Sequence, residues 1–498
     1  MNTRTREHPS TPLNRRHGFR GPVLTLLSGT TVTMAVSFLV QPVLTRLYTP
    51  ADFGVLSYFM SLLGVVFTAS TFQYDAALML PEDEEDVTNL FWLCGSLLTG
   101  WVLLLVALIP LRAEIAGFLG FPGVAPWLPL LPAVLLAMRS GRLMETLLLR
   151  QRRFPVVTGG QVTDAVVAAG TRIGAGLPFV YAGASGLVGG VLAGDLASCL
   201  LYGAAIVRER SGALWRSFDP SRIRSLAVRY RRFSLFSTPA ALLNTVVTRL
   251  PFLGIPFFFH SRQGAILGFL GLAFNVFSVP LSLIRGSVAQ VFLVQAAESN
   301  RAGRLREVTE TVHARLVMTG LFPALVLVLA APDLFDFVFG HEWREAGHYL
   351  QFIAPWIFLA FVASPLTMVF DVLERQRADL ATSVLMFGTL SAALVAGGLT
   401  GSIYTTLFVL GLCGAATRIV HIGVILRLAG LEWSAMLRPY VRFLLISTPA
   451  LALIGAAMFV GRPWFTSLVA ALAGLGYGLF VLHREGLLPA QLQDWPRS

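Results

Sequence analysis

The sequence contains no lysine; all 38 of its basic residues are arginine. Charge of either sign is scarce, at 13% of 498 residues against about 25% in an average soluble domain. Cysteine is nearly absent, and Cys94, Cys199 and Cys413 lie far apart inside apolar stretches. A disulfide framework or a zinc site needs paired spacings that these three do not have, so they read as small buried apolar residues. No GxxxxGK[ST], HExxH or GxSxG occurs, which removes the usual parts of ATP hydrolysis and of the common hydrolases. No cofactor or metal is expected. A net charge of +11 does not point to nucleic acid, which requires a basic groove with interleaved aromatics on a soluble fold.

What remains is apolar: 55% of the residues are hydrophobic. Cut at its charged loops, the chain falls into about fourteen stretches near the roughly 20 residues that one membrane-spanning helix needs. The expected fold is therefore all-α and integral to a membrane. The spans fall at 22–46, 53–80, 88–111, 126–149, 156–180 and 186–207, then 233–259, 264–293, 313–331, 348–370, 379–399 and 402–427, then 443–460 and 464–482. This divides the chain into a tail (1–21), an N-lobe of six helices (22–207), a basic linker (208–232), a C-lobe of six (233–427) and two last helices with a tail (428–498). Arginines crowd every second gap. Arg46, Arg112, Arg262, Arg344 and Arg462 alone fall on the other side, a bias of about five to one that puts both termini in the cytoplasm. The Arg15-Arg16 pair is read as part of this anchoring and not as an export signal, because no compact apolar core with a cleavage site follows. One loop, PEDEEDV at 81–87, is acidic on the basic side, but acidic residues weigh little in the rule.

The linker carries Arg222, Arg224, Arg229, Arg231 and Arg232 among Ile223, Leu226, Val228 and Tyr230, the pattern of a basic amphipathic segment lying on anionic headgroups. Each half opens with a proline followed twelve residues later by a glycine, Pro42 and Gly54, then Pro256 and Gly268. This weak echo supports six plus six.

Ionisable residues stand inside several spans. Arg139, Arg142, Arg172, Arg249 and Arg418 would together cost on the order of 15 kcal/mol if they faced lipid, so they face a wet cavity or one another. Arg139, Arg142 and Glu145 share a helix face, and Asp164 and Arg172 lie on the next helix; a salt-bridge network among Arg142, Glu145 and Asp164 is one outcome. Arg249 and Arg418 have no acid in their own spans and need an anionic partner from elsewhere. The bidentate guanidinium fork suits phosphate, which points to a lipid diphosphate, with Arg285 near the cytoplasmic end of its span as a possible steering cation. Asp75 and Asp195 stand as lone carboxylates at membrane depth and, with Asp164, are candidates for proton or sodium coupling. Prolines within the spans, Pro239, Pro251 and Pro355 among them, leave backbone groups for neighbours or a cavity to satisfy.

The segments VLTRLYTPADFGVLSYF at 43–59 and YDAALMLPEDEEDVTNL at 74–90 resemble the opening of bacterial oligosaccharide flippases, the Wzx-type polysaccharide exporters. The resemblance implies a fold of the multidrug/oligosaccharidyl-lipid/polysaccharide (MOP) superfamily, with two six-helix lobes around a central cavity. It also implies movement of undecaprenyl-diphosphate-linked glycan from the cytoplasmic to the periplasmic leaflet of the bacterial inner membrane by alternating access. Membrane lipid, and polysaccharide polymerase and chain-length or export proteins, would be its partners. By the motif, Arg46, Pro50, Asp52 and Gly54 fall at a periplasmic turn with a structural and gating role. A multidrug or cation antiporter of the same superfamily and a polytopic polymerase or ligase stay open as alternatives. The polymerase normally carries a long outside loop, and the largest outside gap here is 332–347.

Overall fold

The computed structural model describes residues 20–216 and 218–484. Its helices are α1 (Arg20–Leu47), α2 (Pro50–Ala69), α3 (Glu84–Ala107), α4 (Arg112–Phe118), α5 (Leu131–Arg150), α6 (Phe154–Gly176), α7 (Ala184–Arg216), α8 (Pro220–Arg229), α9 (Thr238–Gly254), α10 (Gln263–Arg301), α11 (Leu305–Phe339), α12 (Arg344–Leu366), α13 (Met368–Val372), α14 (Gln376–Gly398), α15 (Ile403–Leu428), α16 (Trp433–Met458) and α17 (Pro463–Arg484). No strand occurs among the described residues. Among the described residues, ten helices are long and apolar enough to cross a membrane. Four more, α1, α5, α6 and α10, are 20 residues or longer. The charges on α5, and the charges, glycines and threonines on α6, keep those two from matching the others in apolarity.

Helix starts follow local chemistry. At α2, Thr49 and Asp52 form a reciprocal capping box: the Asp52 N–H donates to the Thr49 hydroxyl at 3.3 Å and the Thr49 N–H to the Asp52 carboxylate at 3.0 Å, with Pro50 in the first turn. This satisfies two donors that a helix end leaves open. At α3, Asp83 accepts from the Glu85 N–H at 3.0 Å. Glu84, Glu85 and Asp86 then fill the first turn, where the helix dipole favours them. The acidic loop is thus a helix start.

We take α1–α7 as an N-lobe and α9–α15 as a C-lobe; in the first, α6 lies between α1 and α7 and α5 lies against α3 and α7, while α2 packs mainly on α10. Helices α16 and α17 lie on α11. The lobes meet chiefly where α2 runs along α10 and α9. There the two echoing glycines touch. A Cβ on Gly54 would strike the Gly264 carbonyl, and one on Gly268 would strike the Pro50 carbonyl, so the helices approach backbone to backbone only because these positions are glycine. Nearby, the Trp343 indole N–H donates to the Thr45 carbonyl at 2.9 Å and its ring meets Phe53 edge-on at 4.9 Å.

Three expectations change. The span 53–80 is not one helix: α2 ends at Ala69, Phe72 and Gln73 take left-handed φ values of 48° and 59°, and the chain resumes as a 3-10 turn over Tyr74–Met79. The outside gap 332–347 shrinks to the few residues between Phe339 and Arg344, because α11 continues through Pro332. The sixth helix does not end at 207: α7 continues to Arg216, and a separate helix, α8, follows within 208–232.

Candidate functional site

Five of the expected cavity cations have described side chains, and they fall into two groups. Arg139 and Arg142 each have a carboxylate partner, Arg139 inside the protein and Arg142 on an exposed face. Arg139, 3% exposed, bonds Asp75 at 2.8 Å and the Thr71 hydroxyl, and lies over the Phe67 ring at 4.3 Å. Asp75 is therefore not a lone carboxylate. The break after α2 swings it onto the 3-10 turn and against α5, where Thr71 also donates to it at 2.6 Å. Arg142 pairs with Glu145 at 2.7 Å, and Glu145 accepts from Gln161 at 2.8 Å. Asp164 is not in this network.

Arg172, Arg249 and Arg418 form no ion pair among the described residues. Arg172 and Asp164 are on α6, on the face that also carries Gln161. Together with Asp195 on α7 and Thr33 and Ser37 on α1 they line a cavity of about 220 Å³ inside the N-lobe, room for several waters. Asp164 and Asp195 both act electrostatically on Arg172, whose Nε has no hydrogen-bond partner. Asp195 thus shares the cavity with a second carboxylate and a guanidinium, without an ion pair to the guanidinium. The room comes from α7: Gly186, Gly190 and Gly194, each a turn apart, face the Tyr48 hydroxyl, the Arg172 stem and the Asp164 carboxylate. Any Cβ there would displace them. The Tyr48 hydroxyl donates to the Arg172 carbonyl at 2.6 Å, and Tyr181 donates to Asp52 at 2.7 Å beyond it, so polar groups continue from the cavity to the α2 cap. That glycine spacing in GLVGGVLAGD was the sequence signal for this cavity, and it was missed, as were Thr33 and Ser37, while the motif had placed Tyr48 at the periplasmic turn.

Arg249 is on α9 with its guanidinium against Gly64 of α2; a Cβ there would lie 3.4 Å from its Nε. One turn away the hydroxyls of Thr68 and Thr245 meet at 3.1 Å. Arg249 thus sits in the seam between lobes. Arg418 is on α15, its Nε unpartnered, with Asp379 of α14 acting on it electrostatically. His421, one turn on and 4% exposed, has neither ring nitrogen bonded and meets the Phe370 ring at 5.6 Å. The side chain of Arg285 lies outside the described residues. Of the turn residues, Pro50 and Asp52 cap α2 and Gly54 closes the seam, while Arg46 is exposed. No cluster of metal-ligating side chains occurs among the described residues.

Long apolar helices in two lobes, with charges gathered inside them, define a multi-pass membrane protein. Its fold is that of MOP superfamily transporters. The structure is similar to lipid II flippase MurJ in an inward closed conformation, with a TM-score of 0.68 at 12% identity over 94% of this chain and 99% of that one. It is also similar to a MOP superfamily transporter from Pyrococcus furiosus (0.56, 12%, 85% and 95%) and to the Vibrio cholerae MATE transporter VcmN (0.52, 13%, 83% and 97%). No curated protein matches by sequence. The family model described as polysaccharide biosynthesis protein matches residues 43–348, and the chain belongs to that family.

Proposed function

We propose that this protein flips a lipid-diphosphate-linked oligosaccharide, of the undecaprenyl type, from the cytoplasmic to the periplasmic leaflet of a bacterial inner membrane by alternating access. The observation that carries the reading is the set of partly buried guanidiniums without an ion pair among the described residues: Arg172 in the N-lobe, Arg249 between the lobes and Arg418 in the C-lobe. Leaving a cation in a membrane protein unpaired is costly, and a diphosphate offers the bidentate acceptors a guanidinium binds. The family supports a glycan, and the likeness to a lipid II flippase supports a lipid carrier. Asp164 and Asp195 would take up the coupling proton or cation in the N-lobe cavity. Arg139 and Arg142, held by Asp75 and Glu145, would stiffen the N-lobe instead of meeting substrate. Polymerase and export proteins would receive the product.

The test is deletion of the gene, followed by measurement of surface polysaccharide and of the leaflet holding the lipid-linked glycan, with complementation by wild type and by Arg249→Ala. Loss of surface polymer with glycan held on the cytoplasmic face, rescued by wild type and at least ten times less well by Arg249→Ala at equal protein level, is the expected result. Glycan reaching the outer face normally in the deletion sinks the reading. Drug sensitivity would then favour an antiporter, and unpolymerised glycan on the outer face a polymerase.

A further inference from the structure

The acidic loop and the basic linker are partners. Arg222, in the first turn of α8, lays its guanidinium across the start of α3: its Nε donates to Asp86 at 2.6 Å, and its two terminal nitrogens bond Glu85 and Asp83. Arg229 adds an ion pair to Asp86 at 3.7 Å. The backbone joins in, since the Asp219 N–H donates to the Asn89 side chain at 2.9 Å and the Tyr74 hydroxyl donates to the Ala227 carbonyl at 3.0 Å. On the apolar side of α8, Leu226 is buried, and Ile223, Ala227 and Tyr230 close over the cluster that holds Val87, Leu90 and Leu147. Asp219 caps α8 by accepting from the Ser221 N–H at 2.9 Å. The Glu85 N–H and Arg222 hold the Asp83 carboxyl below its ordinary range, and the bond to Asp86 pushes Arg222 up. These are exposed groups, and screening makes each pair worth little. The anchoring comes from their number together with the apolar contact.

All these contacts are to N-lobe elements. Three residues after α8 the chain takes a wide π-helical turn over Phe233–Ser237 and then enters α9, which packs on α14 of the C-lobe and on α2. A π turn is a weak helical form found at functional sites. Pro239 loosens it further, having no N–H to offer the Leu235 carbonyl. We infer that Arg222 makes α8 a fixed part of the N-lobe, and that the hinge between the lobes is the π-helical turn Phe233–Ser237, not the length of the charged linker. The acidic loop then serves as the receiving half of a clasp, and the arginines of the linker divide into two that anchor, Arg222 and Arg229, and others, such as Arg224 and Arg232, that face outward. The inference needs only that the lobes move relative to one another; it is independent of what they carry.

Distance measurements between spin labels test it in the purified full-length chain, with Cys94, Cys199 and Cys413 replaced by serine or alanine. One label pair replaces Thr99 on α3 and Ser225 on α8, within the N-lobe; the other replaces Ser225 and Ala302, across the lobes. Each pair is read with and without Gly54→Leu, which wedges the α2–α10 seam. The expected result is a narrow Thr99–Ser225 distance that stays put while Ser225–Ala302 moves by several ångströms. A Thr99–Ser225 distance that shifts with the cross-lobe pair overturns the inference. So does a Ser225–Ala302 distance that Gly54→Leu leaves unmoved. Arg222→Ala, read on the Thr99–Ser225 pair alone, provides the second arm: the distribution should broaden, and an unchanged narrow peak overturns the clasp even where Gly54→Leu fails to fold.

Discussion

A buried guanidinium in this protein has one of two fates, decided by whether a carboxylate reaches it. Arg139 has Asp75, a hydroxyl and an aromatic face, although its Nε has no hydrogen-bond partner. Removing one partner of such a pair leaves the other charge uncompensated. Arg139→Ala should therefore lower stability by on the order of 3 kcal/mol, seen as a drop in the thermal midpoint in detergent. The double change Asp75→Asn with Arg139→Met should recover much of it; equal midpoints for the single and double variants would show that the pair is not coupled. Arg172, Arg249 and Arg418 have no carboxylate at ion-pair distance among the described residues; on the proposed function, an anionic ligand supplies the missing partner.

Among the elements, α7 does the most to shape the N-lobe cavity. Its glycines at 186, 190 and 194 replace a ridge of side chains with a groove, and Tyr48, Arg172 and Asp164 occupy it. Gly189, beside this groove, meets nothing within 4 Å. Leucine is a better helix former than glycine by roughly 0.8 kcal/mol, so neither substitution should harm the helix itself. Gly190→Leu should nonetheless cut polysaccharide export at least tenfold by displacing Arg172, and Gly189→Leu should export normally, both checked by surface polymer at matched expression. Equal export by both variants would remove the cavity from the transport path. α2 is shaped by its ends. A capping box starts it, and two left-handed residues soon after Ala69 turn the chain so that Asp75 faces Arg139.

At the scale of the whole molecule, two lobes are joined tightly at the α2–α10 seam and loosely at a π turn. The seam has an engineering handle, because a Cβ on Gly264 would lie 3.3 Å from that of Ala51, near disulfide range. Ala51→Cys with Gly264→Cys should cross-link under oxidation, stop export, and resume it on reduction; export that continues with the cross-link complete would mean the seam never opens.

The class of this protein was legible in the sequence, because hydropathy and charge bias act locally. A stretch of apolar residues partitions into lipid whatever the rest of the chain does, and arginines stay on one side for reasons that need no tertiary contact. The opening motif likewise pointed to the family that the comparison with known proteins supports, and the Thr49–Asp52 cap was written into four consecutive residues. Partner choice was not legible. Arg139 finds Asp75 across 64 positions and Arg222 finds Asp86 across 136, so which charge is neutralised and which is left without a carboxylate depended on how distant helices packed. The glycines show the same division: their spacing is visible along the chain, but only the approach of α10 to α2, and of Arg172 to α7, turned an absent Cβ into a lobe seam and a cavity.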